Sequence, residues 1–112
     1  MKEISYDLRI KLFVGEEKCF GPGIASLLRG VQQHKSLSAA GRELNMSYSK
    51  AWTIIKKCEK AMDTKLLEMH TGGSKGGGAD LTPQALDLLS KYDTFCSKIN
   101  SFADEVFEEC FK

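Results

Sequence analysis

Two helical patterns that almost touch in the sequence, within residues 36–62, constrain the fold more than any other feature. The first is short and rich in small residues (about 38–44), and the second spans about 47–62. Only Asn45 and Met46 separate them, and asparagine tolerates the left-handed backbone that a tight inter-helix turn requires. Ser36 and Ser38 are both suitable caps for the first helix. The spacing predicts a helix-turn-helix whose small side chains allow close packing.

The second of these helices has two contrasting faces. Its predicted buried stripe consists of Tyr48, Ala51, Trp52, Ile55, Cys58 and Met62, and the shorter helix turns Leu37, Ala40 and Leu44 inward. The opposite face carries Ser49, Lys50, Thr53, Lys56, Lys57 and Lys60. Hydroxyl and ammonium groups near a helix N-terminus can reach base edges, and later lysines suit phosphates. This face predicts DNA contacts; a solvated lysine face is the simpler alternative.

The residues before this pair predict a small hairpin and a first helix. Hydrophobic residues alternate from position 4 to position 14, which is typical of a half-buried strand. A turn at 15–18 leads to a short return strand at 19–20. Pro22 favours a helix start, and the apolar spacing of Ile24, Leu27, Leu28 and Val31 predicts a helix that ends near 34–35.

A second hairpin is predicted after the helix pair, with strands at 66–71 and 79–82 and a glycine-rich loop at 72–78. Glycines let a backbone approach phosphates closely, and Thr71, Ser74 and Lys75 add donors to Gly72 and Gly73. A loop without a ligand is the alternative for any glycine tract. The GxxxxGK[ST] phosphate-binding motif does not occur here.

A long helix is predicted from Pro83 to the end, with apolar residues repeating every seven positions. About 28 residues would span about 42 Å, whereas a globule of this size has a radius of gyration of about 13 Å. We therefore expect residues 83–112 to form a dimerisation helix that belongs to the same compact unit as a DNA-binding domain at 1–82. Its expected contacts with a second copy are Leu88, Leu89, Tyr92, Phe95, Cys96, Ile99, Phe102 and Val106.

Composition narrows the classes of function. Residues 42–78 carry seven basic side chains against four acidic ones, and residues 79–112 carry three against seven, so an anion-binding face is expected in the middle. Cysteine spacing matches no zinc motif, and the two histidines have no nucleophile at a recognisable spacing. We expect neither an enzyme nor a cofactor. No apolar run is long enough for a membrane span, and cytoplasmic location is expected.

Four strings in order resemble a known family: FGPG at 20–23, SLSAAGRELNMSYSKAW at 36–52, TGGSKGGGADLTP at 71–83, and the long helix after them. Together they resemble the N-terminal DNA-binding domain of the molybdate-dependent ModE regulators, relatives of the LysR-type winged helix-turn-helix. The resemblance covers nearly the whole chain. It implies a mainly α winged helix with a small β component, and a homodimer that binds a palindromic operator in double-stranded DNA.

The resemblance assigns base reading to Ser47, Tyr48, Ser49, Lys50 and Thr53, wing contacts to residues 71–78, and a packing role to Trp52. Relatives often have arginine near Ser49-Lys50, and lysine makes a poorer bidentate contact to guanine. Full-length members carry C-terminal oxyanion-binding domains that these 112 residues do not include, so molybdate binding is not expected.

Three hypotheses follow from the sequence. The first is a dimeric DNA-binding transcriptional regulator. The second is a winged-helix interaction module that works with a separate sensor protein through the acidic tail and apolar seam. The third is a thiol sensor with Cys96 and Cys110 on the dimer seam.

Overall fold

The fold of residues 2–70 and 78–112, which the computed structural model describes, is mainly helical with two small hairpins, and the predicted fold class is confirmed. The elements in chain order are β1 (Leu12–Val14), β2 (Glu17–Phe20), α1 (Pro22–His34), α2 (Leu37–Glu43), α3 (Tyr48–Met62), β3 (Leu67–His70), β4 (Gly78–Leu81) and α4 (Pro83–Phe111). Strands β1 and β2 pair antiparallel, as do β3 and β4.

The core lies where α1, α2 and α3 meet the start of α4. Phe20, Leu27, Leu28, Ile55 and Leu66 are its largest fully buried side chains, with Val31 and Leu37 beside them. α1 buries one face against all three other helices, as its apolar spacing predicted. The core therefore supports α3 from behind and leaves its other face to solvent.

The N-terminal segment differs from its predicted structure. Only Leu12–Val14 forms a strand, and the strand expected from residue 4 to residue 11 is absent. Its partner β2 has four residues and stops at Phe20, two residues before α1 begins at Pro22, so no further ladder is available. Two residues of this segment instead contact α4: the Tyr6 hydroxyl bonds to the Asp104 carboxylate, and Tyr92 Oη donates to the Ile10 carbonyl at 2.7 Å.

α4 is continuous over 29 residues and extends beyond the core. Thr82 caps it by accepting a hydrogen bond from Ala85 N at 3.1 Å. Only Ala85, Leu89 and Tyr92 are buried in α4, and the Tyr92 ring packs edge-on to Phe20 with 5.0 Å between centroids. The described residues therefore have an elongated shape of 57 × 32 × 21 Å and a radius of gyration of 16.8 Å.

Two residues expected at the dimer seam, Leu89 and Tyr92, thus belong to the chain's own core, and Leu88 and Cys96 are partly buried against it. Phe95, Ile99, Phe102 and Val106 remain exposed. None of the helices in the described ranges combines the length and apolar character needed to span a membrane.

Candidate nucleic-acid interface

The turn between α2 and α3 has the conformation that its asparagine predicts. Asn45 adopts φ 57°, in the left-handed region. Met46 N donates to the Gly41 carbonyl at 2.8 Å, which closes the turn over the end of α2. Ser47 then caps α3, accepting a hydrogen bond from Lys50 N at 3.1 Å. The turn is therefore fixed by backbone bonds and by the Ser47 cap.

Small residues bring the helices together, as predicted. A Cβ atom on Gly30 of α1 would lie 2.8 Å from the Ala40 Cβ of α2, which is too close for two carbon atoms. A Cβ on Gly41 would lie 3.3 Å from the Ala51 Cβ of α3. These contacts hold α2 between α1 and α3, so the orientation of α3 depends on positions that accept almost no side chain.

Six predicted DNA-facing residues of α3 are all exposed: Ser49, Lys50, Thr53, Lys56, Lys57 and Lys60. Ala51, Ile55 and Cys58 form the buried side. The hydroxyl of Thr53 donates to the Ser49 carbonyl at 2.9 Å, so it is already bonded within the helix. The exposed face therefore offers the Ser49 hydroxyl and a set of ammonium groups.

Tyr48 and Trp52 are not buried, contrary to the predicted stripe and to the packing role expected of Trp52. Their exposed fractions are 48% and 37%. Trp52 lies about 100° around the helix from Ala51, and the close Ala51–Gly41 contact leaves room for only a narrow buried stripe. Leu44, also expected to be inward, is exposed because α2 ends at Glu43 and Leu44 is its C-cap.

The exposed aromatics form an ordered row with a lysine. The Tyr48 and Trp52 rings lie 6.4 Å apart between centroids with an interplanar angle of 22°. Lys56 Nζ lies over the Trp52 ring at 4.4 Å from its centroid. Spacing of four residues places all three side chains on one flank of α3. The four-residue spacing between Trp52 and Lys56 was the sequence signal for an exposed Trp52, because it places the ring on the same flank as a lysine. The predicted buried stripe did not take this spacing into account.

Glu59 joins α3 to the second hairpin, a role that the sequence analysis missed. Its Oε2 accepts hydrogen bonds from Leu66 N at 2.7 Å and Leu67 N at 3.3 Å, and its Oε1 lies 3.0 Å from Lys56 Nζ. Partial burial alone would raise the pKa of this carboxyl, but the bonds from Leu66, Lys56 and Leu67 outweigh it and lower the pKa. The ionised form is therefore the one that holds the hairpin.

The base of the predicted wing is anchored to the end of α1. Ala79 N donates to the Lys35 carbonyl at 2.9 Å, and Lys35 Nζ lies 3.2 Å from the Asp80 carboxylate. His70 Nε2 lies 2.6 Å from the same carboxylate, and hydrogen bonds from His70 and Lys35 lower the pKa of Asp80. The predicted hairpin is thus present at β3 and β4. The tip residues Thr71, Gly72, Gly73, Ser74 and Lys75 lie outside the described residues.

The described residues contain no metal-binding cluster, and two of the four thiols are buried. Residues 2–70 and 78–112 contain no group of three or more His, Cys, Asp or Glu side chains that could hold a metal ion. All four cysteines are free. Burial raises the pKa of Cys58 to about 12 and also raises that of Cys19, so neither is a thiolate at neutral pH.

The comparisons with known proteins agree with this geometry. The ModE regulator of Haemophilus influenzae is 37% identical over 94 residues, which cover 83% of this chain and 36% of that protein. The DNA-binding transcriptional dual regulator ModE of Escherichia coli K12 is 34% identical over 79 residues, 70% of this chain and 30% of that protein. The molybdenum-pterin-binding protein MopB of Rhodobacter capsulatus is 34% identical over 67 residues, 60% of this chain and 25% of that protein.

The chain thus spans about a third of the length of the curated ModE relatives it matches. Residues 26–86, more than half of the chain, match the family described as bacterial regulatory helix-turn-helix protein, LysR family. This match begins in α1 and ends in the first turn of α4, so it contains the whole helix-turn-helix and the second hairpin. The resemblance seen in the sequence is confirmed, and the chain belongs to the LysR family of bacterial regulatory helix-turn-helix proteins.

Proposed function

We propose that this chain is a DNA-binding transcriptional regulator that acts as a homodimer on a palindromic operator, in the cytoplasm where bacterial DNA is accessible. The observation that carries the proposal is the exposed polar and basic face of α3, the second helix of a rigid helix-turn-helix. In such motifs the second helix enters the major groove. Its ammonium groups suit phosphates, and its N-terminal end suits base edges.

This placement supports a proposed set of DNA contacts. We assign it to the N-cap Ser47 and to Tyr48, Ser49, Lys50, Thr53, Lys56 and Lys57 on α3, with wing contacts from residues 71–75. Lys56 is already paired with Glu59 at 3.0 Å, so part of its charge is neutralised before DNA binds. Lys57 has no ion pair with any described residue and is expected to contribute more to phosphate binding.

Dimerisation is supported by the part of α4 that the core leaves uncovered. Phe95, Ile99, Phe102 and Val106 recur at spacings of three and four, which places them along one side of the helix. Exposed aromatics in such a row are typical of an interface between proteins. A second copy packed along this surface would bring two α3 helices onto one duplex, where half-sites lie about 34 Å apart. We propose this for residues 83–112, with residues 1–82 as the DNA-binding portion.

The test is fluorescence anisotropy of the purified chain with a mixed duplex pool, titrated from low to physiological salt. We expect the logarithm of the binding constant to fall linearly with log salt, with a slope of about −0.9 for each phosphate neutralised. Lys57→Ala should make the slope shallower by about one contact and weaken binding to all sequences. Lys91→Ala on α4 is the matched control, because Lys91 is exposed and paired with Asp87 at 2.8 Å. Absence of binding at low salt by the folded protein would contradict the proposal.

An interaction module that works with a separate sensor protein is the second candidate. The observation that favours it is the same exposed row on α4, in a region where acidic side chains outnumber basic ones by seven to three. Sedimentation separates the two: a chain that stays monomeric at tens of micromolar and binds DNA without salt dependence would favour this candidate. A dimer with a steep salt slope favours the regulator.

Two of the relatives described above carry the name ModE and one is named for molybdenum-pterin binding, which raises the question of molybdate. We propose that these 112 residues bind DNA without binding molybdate. Sodium molybdate added to the anisotropy titration should leave the dissociation constant unchanged, and sodium sulfate at equal ionic strength is the control. A molybdate-specific change would contradict this part of the proposal.

A further inference from the structure

We infer that the exposed aromatic pair Tyr48 and Trp52 contacts thymine methyl groups in the major groove, so that the chain prefers half-sites with A·T pairs opposite the first two turns of α3. The inference rests on the proposed DNA-binding function. It adds a base preference and names Trp52, to which the sequence analysis gave only a packing role, as a specificity-determining residue.

The position of the two rings is the first argument. Tyr48, Ser49, Trp52 and Thr53 line one shallow hollow on the exposed face of α3. Within the first two turns of α3, Ser49 and Thr53 are the side chains that point most directly away from the buried Ala51 and Ile55. The rings therefore flank the polar side chains of the proposed interface and would enter the groove with them.

The second argument is that the aromatic row is already ordered without DNA. Trp52 has Tyr48 one turn before it, at 6.4 Å between centroids, and Lys56 Nζ one turn after it, at 4.4 Å from the ring centroid. Glu59 in turn holds Lys56 at 3.0 Å. A side chain restrained by neighbours on both sides loses less conformational entropy on binding than a free one.

The third argument is chemical. In the major groove only thymine presents a methyl group, and apolar side chains make contact with it. Thr53 adds a methyl group to this surface, and the proton of its hydroxyl is already donated to the Ser49 carbonyl at 2.9 Å. An aromatic surface beside a threonine methyl therefore matches thymine better than it matches cytosine, which presents an amino donor at the corresponding edge.

The experiment starts with selection of a preferred duplex by the wild-type chain from a random pool. Each thymine of the selected site is then replaced by deoxyuridine, which keeps the base pairing and removes only the methyl group. We expect a loss of about fourfold in affinity for each methyl that the rings cover, or about 15-fold for one methyl in each half-site. The Trp52→Ala variant should bind more weakly and should lose most of the difference between the two duplexes.

The control variant is Phe13→Ala, which removes another exposed ring, on β1, and should keep the full thymine preference. Equal affinity of the wild-type chain for both duplexes, with a steep salt slope, would overturn the inference and leave the proposed function standing. A selected site without A·T pairs opposite α3, or an unchanged preference in folded Trp52→Ala, would also overturn it. No binding to any duplex would overturn both. The thymine-to-uracil comparison on the wild-type chain requires no variant to fold.

Discussion

The Glu59 carboxylate at the end of α3 accepts a hydrogen bond from the backbone N–H of Leu66, with 2.7 Å between Oε2 and N. The same oxygen accepts a hydrogen bond from the backbone N–H of Leu67, the first residue of β3, so one side chain of α3 fixes where the second hairpin begins. Only 12% of the Glu59 side chain is exposed. The hairpin and α3 therefore form one surface, whose parts cannot shift independently while this carboxylate is ionised.

Replacing Glu59 with alanine is expected to lower the free energy of unfolding by about 1–3 kcal/mol, because it removes the acceptor for two backbone N–H groups beside the buried Leu66. Urea denaturation followed by circular dichroism measures the change. Glu108→Ala is the control, since Glu108 pairs with Lys112 at an exposed position on α4 and should matter little. Equal losses in the two variants would contradict the role of Glu59.

The contribution of Glu59 should also depend on pH in a defined direction. Its pKa is lower in the folded chain than the ordinary value of 4.5, so its contribution is fully present above that value. As the pH falls from about 5 through the folded-state pKa, the carboxyl becomes protonated and the contribution is lost. The difference in urea midpoint between the wild-type chain and Glu59→Gln should thus be largest near pH 7 and should shrink below about pH 5. A difference that grows on acidification would contradict this linkage.

Gly30→Ala is expected to destabilise the chain by about 1–3 kcal/mol, because the new methyl group would lie 2.8 Å from the Ala40 Cβ and α1 and α2 would have to separate. Adding Ala40→Gly should recover part of the loss in a double-mutant cycle. Gly23→Ala is the control, because no atom lies within 4 Å of its added Cβ. If the effects of the two substitutions simply add, the loss of stability in Gly30→Ala does not come from a clash with the Ala40 Cβ.

Phe102→Glu is expected to convert a dimer into monomers, because it places a charge at the most exposed ring of the α4 row, where 65% of the residue is open to solvent. Sedimentation velocity between about 1 and 100 µM measures the change. Ser101→Glu adds the same charge at the neighbouring exposed position and should leave the dimer intact. If Phe102→Glu sediments like the wild-type chain, the proposed dimer surface is wrong.

The positions of the helices and the second hairpin could be predicted from local signals that act within a few residues. Pro22 and Pro83 begin α1 and α4, Ser36 caps α2, and Asn45 makes the left-handed turn, all in agreement with the structure. Each of these signals reports a backbone preference of the residue itself. They hold whatever the residue later packs against.

What failed was the prediction of which face each apolar residue occupies. Residues 4–11 alternate like a strand, but a strand also needs a partner, and β2 is too short to provide one. Trp52 was expected in the core because its spacing from Ile55 fits a helical stripe; the space behind α3 is instead filled by Ala51 against Gly41. Hydrophobic periodicity contains no information on how wide the buried stripe is. That width is set by a neighbouring helix.

Because α4 is one continuous helix, a small change in its direction at the core produces a large displacement at its far end. About 19 residues, or about 28 Å of helix, extend from Tyr92 to the far end of α4. A tilt of about 5° at Tyr92 would therefore carry that end about 2.5 Å sideways, close to the 3.4 Å that separates base pairs. In a dimer joined along α4, the contact between Tyr92 and Phe20 would be the point about which α4 tilts. Substitutions in the core, far from DNA, would then change the half-site spacing that the dimer prefers without altering any residue that contacts DNA.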